Sequence, residues 1–234
     1  MVSNKGLLIT FEGADSSGKA TQAYKLYNFL DLHGYSVQKV EFPDYESPSS
    51  SLVKMYLGGS FGTDPQHISP YIASTFYTVD RYASYKKDWE EFYNNKGIVI
   101  ADRYTTSNMI HQAVKIKEEN EREIFLEWLW SFEFEIFNLP QPDAVIFLDM
   151  PPAYSAKLLE VRGQRQKEKA DIHERDRIFL EKSYFNACAL ADKYGWYKIN
   201  CVHGKRLKSV EDIHREVCEI VKEILPHEHR KDSR

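Results

Sequence analysis

Near the start of the chain, Gly13-Ala14-Asp15-Ser16-Ser17-Gly18-Lys19 has the residue types and spacing that hold a polyphosphate. Glycines at both ends let backbone N–H groups curl toward anionic oxygens. A helix beginning near Lys19 adds the positive end of its dipole, and the Lys19 ammonium reaches the β and γ phosphates of a nucleoside triphosphate. Position 20 departs from the pattern: Ala20 stands where a Ser or Thr hydroxyl would bind Mg²⁺. Thr21 is next in line, but one helical step turns its side chain by roughly 100°, so it does not replace that ligand without local rearrangement. Magnesium would then rest on nucleotide oxygens, water and a carboxylate.

A second group supplies that carboxylate. The apolar run Gly97-Ile98-Val99-Ile100-Ala101 ends in Asp102-Arg103-Tyr104. Asp102 suits either a hydrated Mg²⁺ or the orientation of an acceptor phosphate, and Arg103 offers a planar fork for bidentate phosphate binding. Taken alone, the neighbours also read as a plain ion pair.

The elements that must position these residues follow from hydrophobic spacing. Short apolar runs at Leu7 to Phe11, Val37 to Phe42, Ile98 to Ala101, Ala144 to Leu148 and Trp196 to Ile199 read as five buried strands. Helical spacing fills Thr21 to Leu32, Tyr71 to Tyr93, Glu118 to Phe137, Ile178 to Tyr194 and Val210 to Leu225. Strands alternating with helices predict an α/β three-layer sandwich, a five-stranded parallel sheet flanked by helices, as one domain over residues 1–234. Ligands of such sheets bind beyond the carboxyl ends of the strands, where both groups fall. Pro43 to Pro70, rich in Ser, Gly and Pro, and the charged stretch Arg162 to Glu174 read as loop or lid, and residues 227–234 as a solvated tail.

Composition narrows the partners. With 234 residues, 42% of them hydrophobic, the chain can bury one good core, and a net charge of −4 argues against a broad face for a nucleic acid polymer. Phosphate binding is expected in a local pocket instead. Cys188, Cys201 and Cys218 form no CxxC pair, so neither a disulfide framework nor a zinc site is expected. No stretch approaches the roughly 20 apolar residues of a membrane span. The expectation is a cytoplasmic protein that meets no membrane.

Several segments together carry a family resemblance: Phe11-Glu12-Gly13-Ala14-Asp15, Gly18-Lys19-Ala20-Thr21-Gln22, Phe42-Pro43, Phe76-Tyr77-Thr78-Val79-Asp80-Arg81, Asp102-Arg103-Tyr104, Ser107-Asn108 with His111-Gln112, Leu148-Asp149-Met150-Pro151-Pro152, and Asp171-Ile172-His173-Glu174 followed by Phe179 and Tyr184. In this order, over about Gly6 to Asn200, the chain resembles thymidylate kinases. The resemblance implies the P-loop NTPase fold with a mobile lid, ATP and Mg²⁺ as cofactors, dTMP as acceptor, and a homodimer. Residues 13–21 (Gly13, Ala14, Asp15, Ser16, Ser17, Gly18, Lys19, Ala20, Thr21) would hold the donor.

Residue by residue, it implies that Asp15 contacts the sugar 3′-hydroxyl, Phe42 and Pro43 border the acceptor, and Tyr77 stacks on thymine. Arg81, four residues after Tyr77 and on the same helical face, would donate to a base carbonyl; core packing is the other reading of Tyr77. Ser107 and Asn108 match positions near the base, and His111 stands in place of a tyrosine that lies against the sugar. A lid arginine, Arg162 or Arg165, would reach the transferring phosphoryl, because the phosphate loop has Ser16 where some members carry arginine. Many members also carry an arginine just after Phe-Pro, where this chain has Asp44-Tyr45-Glu46, so Arg103 would bear more of the acceptor phosphate. Two other readings keep the fold: a kinase of another deoxynucleotide or nucleoside, or a nucleotide-binding homologue that has lost catalysis.

Overall fold

A computed structural model describes residues 5–62, 64, 66–158, 173 and 176–225. Five parallel strands form one sheet: β1 (Leu7–Gly13), β2 (Val37–Glu41), β3 (Ile98–Asp102), β4 (Ala144–Asp149) and β5 (Tyr197–Asn200), in the order β2-β3-β1-β4-β5. Every strand expected from the sequence is present, with ends shifted by one or two residues. Among the described residues the helices are α1 (Lys19–Leu32), α2 (Ser51–Leu57), α3 (Pro70–Ser84), α4 (Glu90–Asn94), α5 (Thr105–His111), α6 (Glu119–Trp130), α7 (152–158), α8 (Arg177–Tyr194) and α9 (Val210–Ile224).

The pleat decides which helices cover which face, because successive side chains of a strand point to opposite sides. Leu7, Ile9 and Phe11 of β1 point one way with Ile98, Ile100, Ile146 and Leu148, and pack on Ala23, Leu26 and Leu30 of α1 and on Val217 and Val221 of α9. Leu8, Val99 and Ala101 point the other way, onto Tyr85, Trp89 and Tyr93. Phe147 of β4 joins a third cluster built from α5, α6 and α8. Both faces are covered, which is why β1, β3 and β4 read as unbroken apolar runs rather than alternating ones.

Two helices expected to be continuous are interrupted. Tyr85–Trp89, between α3 and α4, and Ser131–Ile136, after α6, are π-helical. The wider turn keeps Tyr85, Trp89 and Tyr93, spaced four apart, on one face, where their rings meet edge-on at 4.6 and 6.1 Å. α8 begins where the Asp176 carboxylate accepts the Phe179 N–H at 3.0 Å and stops at Gly195, whose φ of 65° ends the helix. The expected lid, residues 162–174, lies outside the described residues apart from His173, as do Arg162, Arg165 and the 227–234 tail.

Leu26 is fully buried between α1 and the sheet. Leu26→Ala is expected to lower the free energy of unfolding by about 2–5 kcal/mol, read as a fall in the urea midpoint at unchanged slope.

Candidate active site

β1 and β3 are neighbours in register, Phe11 opposite Asp102, so the phosphate loop after one and the Arg103 turn after the other emerge side by side. They open onto a cavity of ≈ 850 Å³. One side is lined by Asp15, Ser16, Gly18, Lys19, Ala20 and Thr21, the other by Phe42, Pro43, Tyr77, Arg81, Asp102, Arg103, Ser107 and His111. Of the other sequence-derived site residues among those described, Gly13 and Ala14 line an adjoining cavity of ≈ 440 Å³ that shares Asp15 and His111, while Ser17 and Asn108 are buried, the Asn108 amide 3.4 Å from the Ser74 carbonyl.

The loop is shaped by close approach. A Cβ on Gly13 would lie 2.8 Å from both the Leu148 carbonyl and the Ser17 hydroxyl, and the φ of 150° there suits only glycine. Lys19 folds back over the loop, its ammonium donating to the carbonyls of Gly13 at 3.0 Å and Ala14 at 2.8 Å, with the Asp15 carboxylate 4.0 Å away. Burial, and then the nearby Arg103 cation, push the Lys19 pKa down to about 8, against the pull of Asp15, Asp102 and Glu12. The Ser16 and Ser17 hydroxyls are buried with no hydrogen-bond partner among the described residues, donors suited to phosphate oxygens.

Arg103 sits at the centre. Its backbone adopts a φ of 67°, a strained conformation for a side-chain-bearing residue, held by the hydrogen bond from its N–H to the Phe11 carbonyl at 3.1 Å. The guanidinium forms an ion pair with Asp15 and lies 3.4 Å from His111 Nε2. Burial works against the cation, but Asp15, Glu12 and Asp102 more than offset it and raise its pKa. Because arginine only donates, His111 Nε2 must accept, which places the ring proton on Nδ1. Burial, and then Arg103, push the His111 pKa down to about 3, so this ring is neutral across the physiological range. The ring of Phe179 stacks on it at 6.2 Å, and His173 follows at 4.5 Å from Phe179.

Glu12, which the sequence marked only as part of a motif, proves central to this turn. Its buried carboxylate accepts from the Tyr104 N–H at 3.2 Å, the Thr106 hydroxyl at 2.7 Å and the Ser107 hydroxyl at 2.8 Å. Burial raises its pKa while the Arg103 charge lowers it. An acidic residue inside an otherwise apolar strand was the available signal.

At the far end of the cavity, the Phe42–Pro43 peptide is cis and the Phe42 ring packs on Tyr104 at 5.9 Å. The Tyr77 ring meets Tyr56 edge-on at 6.4 Å while also lining the cavity. Arg81, almost fully buried, is paired with Glu133. The acidic pair after Pro43 turns aside: the Asp44 N–H donates to Asp80 at 2.9 Å, and the Asp44 carboxylate accepts from the Glu46 N–H at 3.2 Å.

Among the described residues no group of three or more His, Cys, Asp or Glu side chains could hold a metal. Glu12 and Asp15 are engaged by protein donors, while Asp102 and Thr21 face the cavity. This donor set fits Mg²⁺ brought in on nucleotide phosphates, which needs only one or two carboxylates from the protein.

The family model for thymidylate kinase matches residues 11–217. The chain belongs to the thymidylate kinase family. Curated relatives include a thymidylate kinase of Schizosaccharomyces pombe, 27% identical over 96% of each chain. A probable thymidylate kinase of Pyrococcus horikoshii is 29% identical over 94% of this chain and 98% of its own. A Mycobacterium tuberculosis thymidylate kinase is 30% identical over 81% of this chain and 87% of its own. The fold is similar to that of the Candida albicans thymidylate kinase, with a TM-score of 0.67 at 22% identity over 94% of this chain and 92% of that one.

A phosphate bound against Lys19 favours the ammonium form, whereas the free protein loses that proton near pH 8. ATP affinity measured by calorimetry is therefore expected to hold steady below about pH 8 and to fall by up to ~10-fold per pH unit above it. Lys19→Arg, whose guanidinium stays charged, is expected to remove that fall.

Proposed function

We infer that the protein transfers the γ-phosphoryl group of ATP to dTMP, giving ADP and dTDP. The observation that carries this reading is a cavity in which the phosphate loop and an acceptor-sized recess meet at the Asp15–Arg103 pair. Direct in-line transfer needs two anions held end to end among fixed cations, and no nucleophile from the protein.

Each residue then has a defined task. Lys19 exchanges the carbonyls of Gly13 and Ala14 for the β and γ phosphate oxygens, and the loop N–H groups and serine hydroxyls complete the cradle. Arg103 leaves Asp15 for the acceptor phosphate and stabilises the charge that develops between donor and acceptor. Asp15, so released, accepts from the sugar 3′-hydroxyl. Tyr77 stacks on the base, Arg81 donates to one of its carbonyls, and Ser107 and the neutral His111 bound the sugar side. Arg162 or Arg165 supplies a further cation. Asp102 would hold magnesium, which would supply positive charge to the nucleotide phosphates. The three cysteines are free, in keeping with a reducing, cytoplasmic setting.

A homodimer is part of this reading. Ile72, Val79 and Tyr82 leave an apolar stripe exposed on α3, and the Tyr82 ring lies 5.4 Å from Phe137, next to Ile136, which is 66% exposed. Sedimentation equilibrium is expected to give twice the chain mass, and Val79→Glu to give monomer; a monomeric parent protein would remove the dimer from the account.

The function is tested by incubating the protein with ATP, Mg²⁺ and each of dTMP, dUMP, dCMP, dGMP and UMP. Preferential formation of dTDP is expected, lost when EDTA removes the metal. Binding of ATP and dTMP without turnover of any acceptor would instead identify a silent nucleotide-binding homologue, with Ala20 as the first residue to restore to Ser.

A further inference from the structure

Glu133 is fully buried in the π-helical turn after α6, far in sequence from every motif of the site. Its two oxygens meet four donors. Oε1 accepts from the Thr78 hydroxyl at 3.0 Å and from Arg81 Nη2; Oε2 accepts from Arg81 Nε at 2.9 Å and from the Thr105 hydroxyl at 2.6 Å. The single Thr78 hydroxyl proton is shared with the Ser74 carbonyl at 2.9 Å, so the grip on the carboxylate comes chiefly from Arg81 and Thr105.

The consequence falls on Arg81. Two of its three guanidinium nitrogens are committed to Glu133, and the guanidinium carbon lies 5.9 Å from the centre of the Tyr104 ring. Nη1, with two N–H groups, is the nitrogen with no bond to Glu133, and Arg81 lines the cavity. An unneutralised arginine in a cavity built for phosphates would attract a phosphate; paired with a buried carboxylate, it keeps a directed N–H while losing its net charge. Thr105 ties the same carboxylate to the start of α5, two residues after Arg103, so base end and phosphate end share one anchor.

We propose that Glu133 is a positioning residue for acceptor recognition: by gripping Arg81 it leaves a single charge-neutralised donor nitrogen that reads an uncharged carbonyl edge of the acceptor base. This rests on the assignment of that recess to a nucleoside monophosphate. Glu133→Gln keeps the shape but sets an amide N–H against an arginine N–H and leaves Arg81 charged.

The test uses the full chain, with dTMP affinity measured by calorimetry beside steady-state kinetics. Glu133→Gln is expected to weaken dTMP binding by ~10-fold or more, the loss typical of a charged hydrogen bond, with ATP affinity unchanged. It should also strengthen inhibition by inorganic phosphate, which a purely structural role would not do. In an Arg81→Ala background the same substitution should have no further effect on dTMP affinity. Should Glu133→Gln fail to fold, Thr105→Val supplies the milder test, with a shift of about threefold in the same direction that again vanishes without Arg81. Unchanged dTMP affinity and phosphate inhibition in these variants, or equal losses with and without Arg81, would overturn the proposal. Because the readout is binding, a parent protein that binds dTMP without turning it over fails the kinase assignment alone.

Discussion

The structure turns on one electrostatic constraint: Lys19, buried, and Arg103, half-buried, sit close enough beyond the ends of β1 and β3 for the charge of Arg103 to lower the pKa of Lys19. Two such cations are tolerable only because Glu12, Asp15 and Asp102 surround them. Parallel pairing of adjacent strands, with Phe11 opposite Asp102, brings these residues together from distant parts of the chain. The strained Arg103 backbone, the glycine that only a close carbonyl explains, and the threonine and serine hydroxyls on Glu12 all serve to hold that charge cluster in place.

That balance also gives the proposed activity its logic. In the ligand-free protein each cation is held by an oxygen that imitates its substrate partner: carbonyls for Lys19, a carboxylate for Arg103. On the proposed reading, donor and acceptor phosphates replace those oxygens, the arrangement that preorganised electrostatic stabilisation requires. Glu133 makes the complementary provision at the base end, where a net charge would be a liability.

Much of this was legible in the sequence because its signals were local. The five strands announced themselves as apolar runs bounded by polar turns, and the phosphate loop by glycines set around a lysine. What escaped depended on partners far away or on segments too short for a period. Glu133 lies between Phe132 and Phe134, and nothing local marks it until α3 and α5 are folded against it. Helices α2, α5 and α7 hold fewer residues than the window in which helical spacing can be seen. The two π turns follow from packing of Tyr85, Trp89 and Tyr93 and of Glu133 and Phe134, which no propensity encodes. The contact of the Asn108 amide with the Ser74 carbonyl is of the same kind, made only when α5 packs against α3.

The most direct test of the central claim is the kinetics of Arg103→Met with dTMP and saturating ATP. The proposed role predicts a fall in kcat/KM for dTMP of at least ~100-fold while the dissociation constant for ATP stays within about threefold, as for loss of one preorganised charge partner of a transferring phosphoryl. A variant that phosphorylates dTMP with near-parental kcat/KM would contradict it, and the charge cluster would then be a feature of folding rather than of transfer.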